Sequence, residues 1–184
     1  NFTGTGTVND LYSLSISKSA LSVLVDVNVS NFTVRGLSTA ATGSLLGSTG
    51  TGTLKISGTN TFDGTLWNNA GLTLGATFGF WLNNPNFTVN GMAGTTIVQG
   101  LFRVSAGTYN IGTATGNSLT FNSNSTVIIE GGTVNSASRF GVSAASNPIN
   151  FTQTGGTINV NSIGNASTSL ASFDLGTATT STVA

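Results

Sequence analysis

The stretch QTGGTINV at residues 153–160 restates, in altered spelling, two earlier stretches, IEGGTVNS at 129–136 and SAGTYNIG at 105–112. Thr108, Thr133 and Thr157 hold the same place in the three phrases and stand 25 and 24 positions apart. Between them the order of events also recurs: a polar loop, a short apolar alternation (SLTF at 118–121, PINF at 148–151, LASF at 170–173), then the Gly-Thr phrase. A period of this length calls for a repeat architecture. Two or three strands of roughly four to six residues fit into one period. That is what one coil of a β-helix requires, with each strand about 4.8 Å from its equivalent in the coil before. On this reading the Gly pair turns a sharp corner, Thr and Asn stack on successive coils, and Ile158 and Val160 feed the core.

Period-two alternation extends well beyond these phrases, and helical periodicity is nearly absent. In LYSLSISKS (11–19), Tyr12, Leu14 and Ile16 alternate with serines; Leu21, Val23, Val25, Val27 and Val29 then share one face. Further strands are expected in NFTV (31–34), GTLKISG (52–58), NFTVN (86–90), TTIVQGLFRV (95–104), TVIIE (126–130) and NPINFT (147–152), divided by Gly, Asn and Ser clusters. The fold expected is an all-β, parallel β-helix with coils of about 24–25 residues, hence about seven coils in 184 residues. An antiparallel β-sandwich is the rival, because frequent turn signals fit it as well. The repeat is clearest over 100–175; residues 1–60 form a less regular β region, a cap or the start of the solenoid, and 61–184 form the coils.

Composition narrows the chemistry. Charged residues make up 5% of the chain, five basic balancing five acidic, against about 25% in an average soluble protein. With no basic stripe, nucleic acid is not expected as a partner. The longest apolar stretch, GLTLGATFGFWL at 71–82, falls short of the roughly 20 residues a spanning helix needs, so membrane insertion is not expected. Cys and His are both absent, which removes disulfides, thiol catalysis, the usual general base and the two commonest transition-metal ligands. The first residue is Asn1 and the last segment is TATTSTVA; both read as a mature or excised piece of something longer, secreted by its composition.

No catalytic, metal or cofactor site is expected. The acids Asp10, Asp26, Asp63, Glu130 and Asp174 are scattered singly, and the positions one period from Glu130 hold no acid that could pair with it. The TGTGT phrases at Thr3–Thr7 and Thr49–Thr53 suggest an ice-binding array, but they do not recur in each coil. Trp67, Phe78, Phe80 and Trp81 cluster in the middle third; exposed, they would form an aromatic docking patch, and buried, they would fill the interior. Seven Asn-x-Ser/Thr sequons, at Asn1, Asn28, Asn31, Asn86, Asn124, Asn150 and Asn165, are candidate glycosylation sites.

The stretch GTYNIGTATGNSLTFNSNSTVIIEGGTVNSASRFGVSAASNPINFTQTGGTINVNSIGNASTSLASFDLGTATTST, over roughly residues 100–183, resembles the β-strand-repeat, right-handed parallel β-helix regions of very large surface proteins that gliding bacteria export by the type IX secretion route. Residues 1–99 match only in style. The resemblance implies an extracellular, cell-surface adhesin, stalk or filament segment without catalytic residues. General preference for right-handed crossovers agrees with the handedness it implies. Expected partners are a surface polysaccharide or other adhesion target, and self-association or continuation within a larger chain. A self-assembling filament subunit and a polysaccharide-binding or -cleaving β-helix are the alternatives.

Overall fold

In a computed structural model the chain is a parallel β-solenoid of about five turns. The structure describes residues 2–3, 9–34, 45, 47, 49–67, 71–91, 94–112, 116–144, 146–160, 173–176 and 180–183. Among them there is no helix, and every paired strand is parallel. The sandwich is thereby set aside.

Three faces make the coil. The first stacks Phe2–Thr3, Leu24–Asn28, Gly52–Ile56, the first part of Phe78–Asn90, the first part of Leu101–Ile111, Thr126–Ile129, Asn150–Gln153 and Thr180–Val183. The second stacks Thr73–Leu74, Thr96–Val98, Leu119–Phe121, Phe140–Val142 and Phe173–Asp174. On the third lie Phe62–Thr65, the ends of the two long strands, Thr133–Ser136 and Thr157–Val160. The long strands belong to two faces because they bend at a corner, where their mutual register shifts around Ala106. A short pair, Asn9–Leu11 with Phe32–Val34, forms a sheet of its own, and Val34 bridges on to Trp67.

The Gly-Thr phrases stack in the register their spelling implies: Thr108 lies beside Thr133, and Thr133 beside Thr157. The corner before each is a glycine in the left-handed region, with φ of 91° at Gly107, 68° at Gly132 and 71° at Gly156. A Cβ on Gly132 would sit 2.4 Å from the carbonyl oxygen of Gly107 in the coil below. Glycine is required there both by backbone conformation and by the approach of the neighbouring coil.

Regular stacking does not give regular spacing along the chain. On the first face the step is 25 residues from Phe2 to Val27, 29 from Leu24 to Thr53 and 22 from Gly79 to Leu101. On the second it is 21 from Leu119 to Phe140 and 33 from Phe140 to Phe173. Among the described residues five strands stack on each of the second and third faces, which makes about five complete turns where about seven coils were expected, and the first face runs on beyond them. Hydrogen bonding fixes the distance between strands in space, while corner loops absorb any number of residues.

The interior follows from strand parity. Leu54, Phe80, Phe102, Val127 and Phe151 occupy one inward row, each beside the next, and all are buried. Around Phe80 pack the rings of Trp67 (5.1 Å, edge-on) and Tyr109 (5.8 Å). Phe140 carries the other aromatic column, stacked at 5.5 Å on Phe173 and edge-on to Phe121 at 4.8 Å. Such contacts stabilise beyond their buried area by about 0.5–1.5 kcal/mol per pair.

Two expected strands are corrected. TTIVQGLFRV is two strands, Thr96–Val98 and the start of Leu101–Ile111. Gly100 makes the corner, where a Cβ would meet the carbonyl oxygen of Phe78 at 2.2 Å. Past Leu11, which ends the strand Asn9–Leu11, LYSLSISKS contributes only bridges, Leu14 to Leu45 and Ser17 to Thr51. Its Ile16 is buried, whereas Tyr12 is 65% exposed. The residues that follow lie over the edge of the first face: Thr53 Oγ1 donates to the Leu21 carbonyl at 2.7 Å, and Gly52 faces the Lys18 side chain. Within LASF, residues 170–172 lie outside the described residues.

Candidate functional site

Two outward rows carry most of the polar organisation. The first begins where strand parity turns Asp26, Lys55, Trp81 and Arg103 outward, and register sets each beside the next. Lys55 Nζ lies 4.4 Å from the centroid of the Trp81 ring, and the Arg103 guanidinium carbon lies 3.9 Å from it. The two cations are one coil below and one coil above the indole, so both of its faces are covered. Each contact adds about 0.5–1 kcal/mol at an exposed site. Acids close the row at both ends. Lys55 Nζ stands 3.8 Å from Asp26 Oδ2, and Arg103 donates to both Glu130 oxygens, through Nε at 3.0 Å and Nη2 at 2.7 Å.

Hydroxyls tie the row together. Trp81 Nε1 donates to Ser105 Oγ at 2.7 Å, Ser105 Oγ donates in turn to Glu130 Oε2, and Ser57 Oγ donates to Asp26 Oδ1. Partial burial raises the Glu130 pKa, but the hydrogen bonds from Ser105 and Arg103 and the guanidinium charge outweigh it, holding the carboxyl below its ordinary range.

The second row is built from the Gly-Thr phrases. Asn110 Nδ2 donates to Asn90 Oδ1 at 2.7 Å, Asn135 to Asn110 at 2.7 Å and Asn159 to Asn135 at 2.8 Å. At the far end Asn90 Nδ2 donates to Asp63 Oδ1 at 3.0 Å. All four amides point their donors the same way, and a carboxylate terminates the run. A primary amide offers a donor and an acceptor on opposite sides, so identical residues stacked at coil spacing satisfy one another. Inside the same phrases Tyr109, Val134 and Ile158 stack toward the core. Burial pushes the Tyr109 phenol far up, against a hydrogen bond with Thr96.

The residues singled out in the sequence separate clearly. Trp67, Phe78 and Phe80 are buried to 2% exposure or less, so the four aromatics do not form a docking patch; inward parity at Phe78 and Phe80 puts them in the core. Trp81 is half-buried and presents only its edge to solvent, because Lys55 and Arg103 occupy its faces. Among the acids, Asp10 accepts from Thr33 Oγ1 at 2.7 Å, and Asp174 pairs with the buried Arg139 at 3.2 Å. Together with Asp26, Asp63 and Glu130, each is held by its own partners. Among the described residues no group of three His, Cys, Asp or Glu could hold a metal ion. The second TGTGT phrase does not present its threonines as an array, since Thr53 is 1% exposed.

Of the sequons, Asn28, Asn31, Asn86, Asn124 and Asn150 are exposed, while Asn1 and Asn165 lie outside the described residues. Asn86 Nδ2 is engaged by the Thr59 carbonyl at 2.8 Å, whereas the Asn124 amide, on a residue at φ 66°, has no partner among the described residues. The cation–indole row was missed from sequence. Its members are 29, 26 and 22 residues apart, so no fixed period would have gathered them; only outward parity within each strand marks them.

Comparison of the chain with models of known protein families, with curated proteins and with solved structures finds no match.

Proposed function

We propose that the chain is a non-catalytic, extracellular structural and adhesive segment of a cell-surface adhesin, stalk or filament. Following the resemblance of residues 100–183, it belongs with the right-handed β-helix regions of large surface proteins exported by the type IX route in gliding bacteria. The observation that supports this most is where the outward polar groups go. The amide row from Asp63 to Asn159 and the Asp26–Glu130 row join one coil to the next along the solenoid axis. Side chains committed to their neighbours above and below stiffen a rod, and they leave few charges for salt to screen. Such a surface suits an appendage exposed to changing medium, where adhesion accumulates from many weak contacts along its length.

The test is display. Antibodies against the 184-residue chain are applied to intact and to permeabilised cells that produce it, and labelling is compared by flow cytometry. Equal labelling of the two is expected. Labelling confined to permeabilised cells would overturn the reading.

A further inference from the structure

A second line of corners, between the second and first faces, leaves a shallow open groove of about 550 Å³. It runs over successive coils from Ala76 past Gln99 and Asn122–Asn124 to Ser143 and Asn147. We propose that this groove binds a neutral, linear glycan chain. The proposal deepens the adhesive half of the function proposed above by naming the ligand class, and it rests on that reading for where the ligand is met.

Three observations carry it. The lining contains no charged residue and no large apolar one, although ligand pockets of about 300–1,000 Å³ are usually lined by apolar and aromatic side chains. Its partner must therefore be polar and neutral. The side-chain amides of Gln99, Asn122 and Asn124 are at least partly exposed and have no partner among the described residues. Beside them Ser123 Oγ donates to Asn147 Oδ1 at 3.0 Å, and Asn147 Nδ2 donates to Ser143 Oγ at 2.6 Å. Free amides, each with a donor and an acceptor, next to preordered hydroxyls match the vicinal hydroxyls of a sugar.

The third observation concerns the backbone. Gln99 N–H donates to the Leu74 carbonyl, Asn122 N–H to Val98, Asn124 N–H to Pro148, and Ser143 N–H to Phe121, at 2.8–2.9 Å. These four main-chain donors at the groove are thus engaged coil to coil. A peptide, which binds a sheet chiefly by main-chain pairing, finds none of them available. Recognition has to pass through side chains repeated about every 4.8 Å, a spacing comparable with one pyranose unit of an extended chain. A linear glycan can meet one coil with each sugar.

The test uses the ¹⁵N-labelled 184-residue chain made in a host without N-glycosylation, because Asn124 is also a sequon. It is titrated separately with cellohexaose, maltohexaose, mannohexaose and an uncharged Gly-Ser peptide. At least one glycan is expected to shift the side-chain amide resonances of Gln99, Asn122 and Asn124 at millimolar concentration. Asn122→Ala and Gln99→Ala, whose backbones and folds are expected to stay unchanged by the rest of the spectrum, should each weaken that binding about tenfold. Three results would overturn the proposal: no shift with any glycan, shifts elsewhere on the rod, or equal binding by both variants. Peptide binding as strong as that of the sugars would overturn it too. All of these are read in solution, so they stand apart from failure of surface display.

Discussion

Replacing Gly132 by alanine tests the corner on which the coil depends. Gly132 has φ of 68°, and an added Cβ would meet the Gly107 oxygen at 2.4 Å and the Ala106 carbonyl carbon and Gly107 nitrogen at 3.0 Å. The left-handed conformation costs a residue bearing Cβ about 1–2 kcal/mol. The contacts are all to backbone of the adjoining coil, so relief requires the coils to separate, a strain on the scale of overpacking at about 1–3 kcal/mol. Together these place Gly132→Ala at about 2–5 kcal/mol of lost stability. For a chain of this size that lowers the thermal midpoint by on the order of 10 °C. Gly116→Ala is the control: Gly116 lies in an exposed turn at no positive φ, and among the described residues, its chain neighbours aside, no atom lies within 4 Å of where the alanine methyl would stand. There alanine should leave stability unchanged or raise it by less than about 1 kcal/mol. Thermal and urea unfolding of both variants, followed by circular dichroism, gives the comparison. If the two melt together, the corner is not held as the stacked coils require.

Glu130→Gln should flatten the acid side of the stability profile. The folded Glu130 carboxyl lies below its ordinary value of 4.5, so its ion pair contributes above that pH and is lost as pH falls through the folded value; urea midpoints from neutral pH to about pH 3 would show no such difference if the pair contributes nothing. Asn110→Ala leaves an acceptor on Asn90 and a donor on Asn135 without their partner, and should cost about 1–2 kcal/mol in urea unfolding. A neutral result would mean that the amide row is decorative. Ser125 Oγ is fully buried with no hydrogen-bond partner among the described residues, so Ser125→Ala should raise stability by about 1 kcal/mol; a drop would reveal a bond the hydroxyl makes. Trp81→Phe leaves Trp67, 2% exposed, as the sole indole, and its emission should be blue-shifted and insensitive to iodide. Strong quenching would place Trp67 at the surface.

How much of this was legible depends on what repeats. The register of Thr108, Thr133 and Thr157 could be read because glycine is obligatory at each corner, and a residue type fixed by backbone geometry leaves a trace in sequence. Inward parity was equally readable at Leu54, Ile56, Phe102 and Val104, where polar and apolar residues alternate strictly. At Tyr12 alternation misled: past Leu11 its segment pairs only at isolated bridges, so Ile16 is buried while Tyr12 stays exposed. The number of complete turns was not legible: among the described residues the first face runs on past the five-stranded second face, and the repeated phrases do not mark where that happens. Nor was the groove, whose residues come from four coils and share no motif.

The low charge has a physical origin in this geometry. In a parallel, in-register stack the nearest outward neighbour of any side chain is its counterpart one coil away, about 4.8 Å along the axis. A repeated amide or hydroxyl finds a partner there, as Asn90, Asn110, Asn135 and Asn159 do. A repeated charge finds only repulsion. Charges therefore enter singly or in mixed rows, and where Lys55 and Arg103 share a row, Trp81 stands between them and is attracted to both. Copying a coil along a chain thus favours Asn, Ser and Thr on its surface without selection for any ligand. A groove in which three amides escape this mutual pairing is consequently a place where the surface departs from what stacking alone would produce.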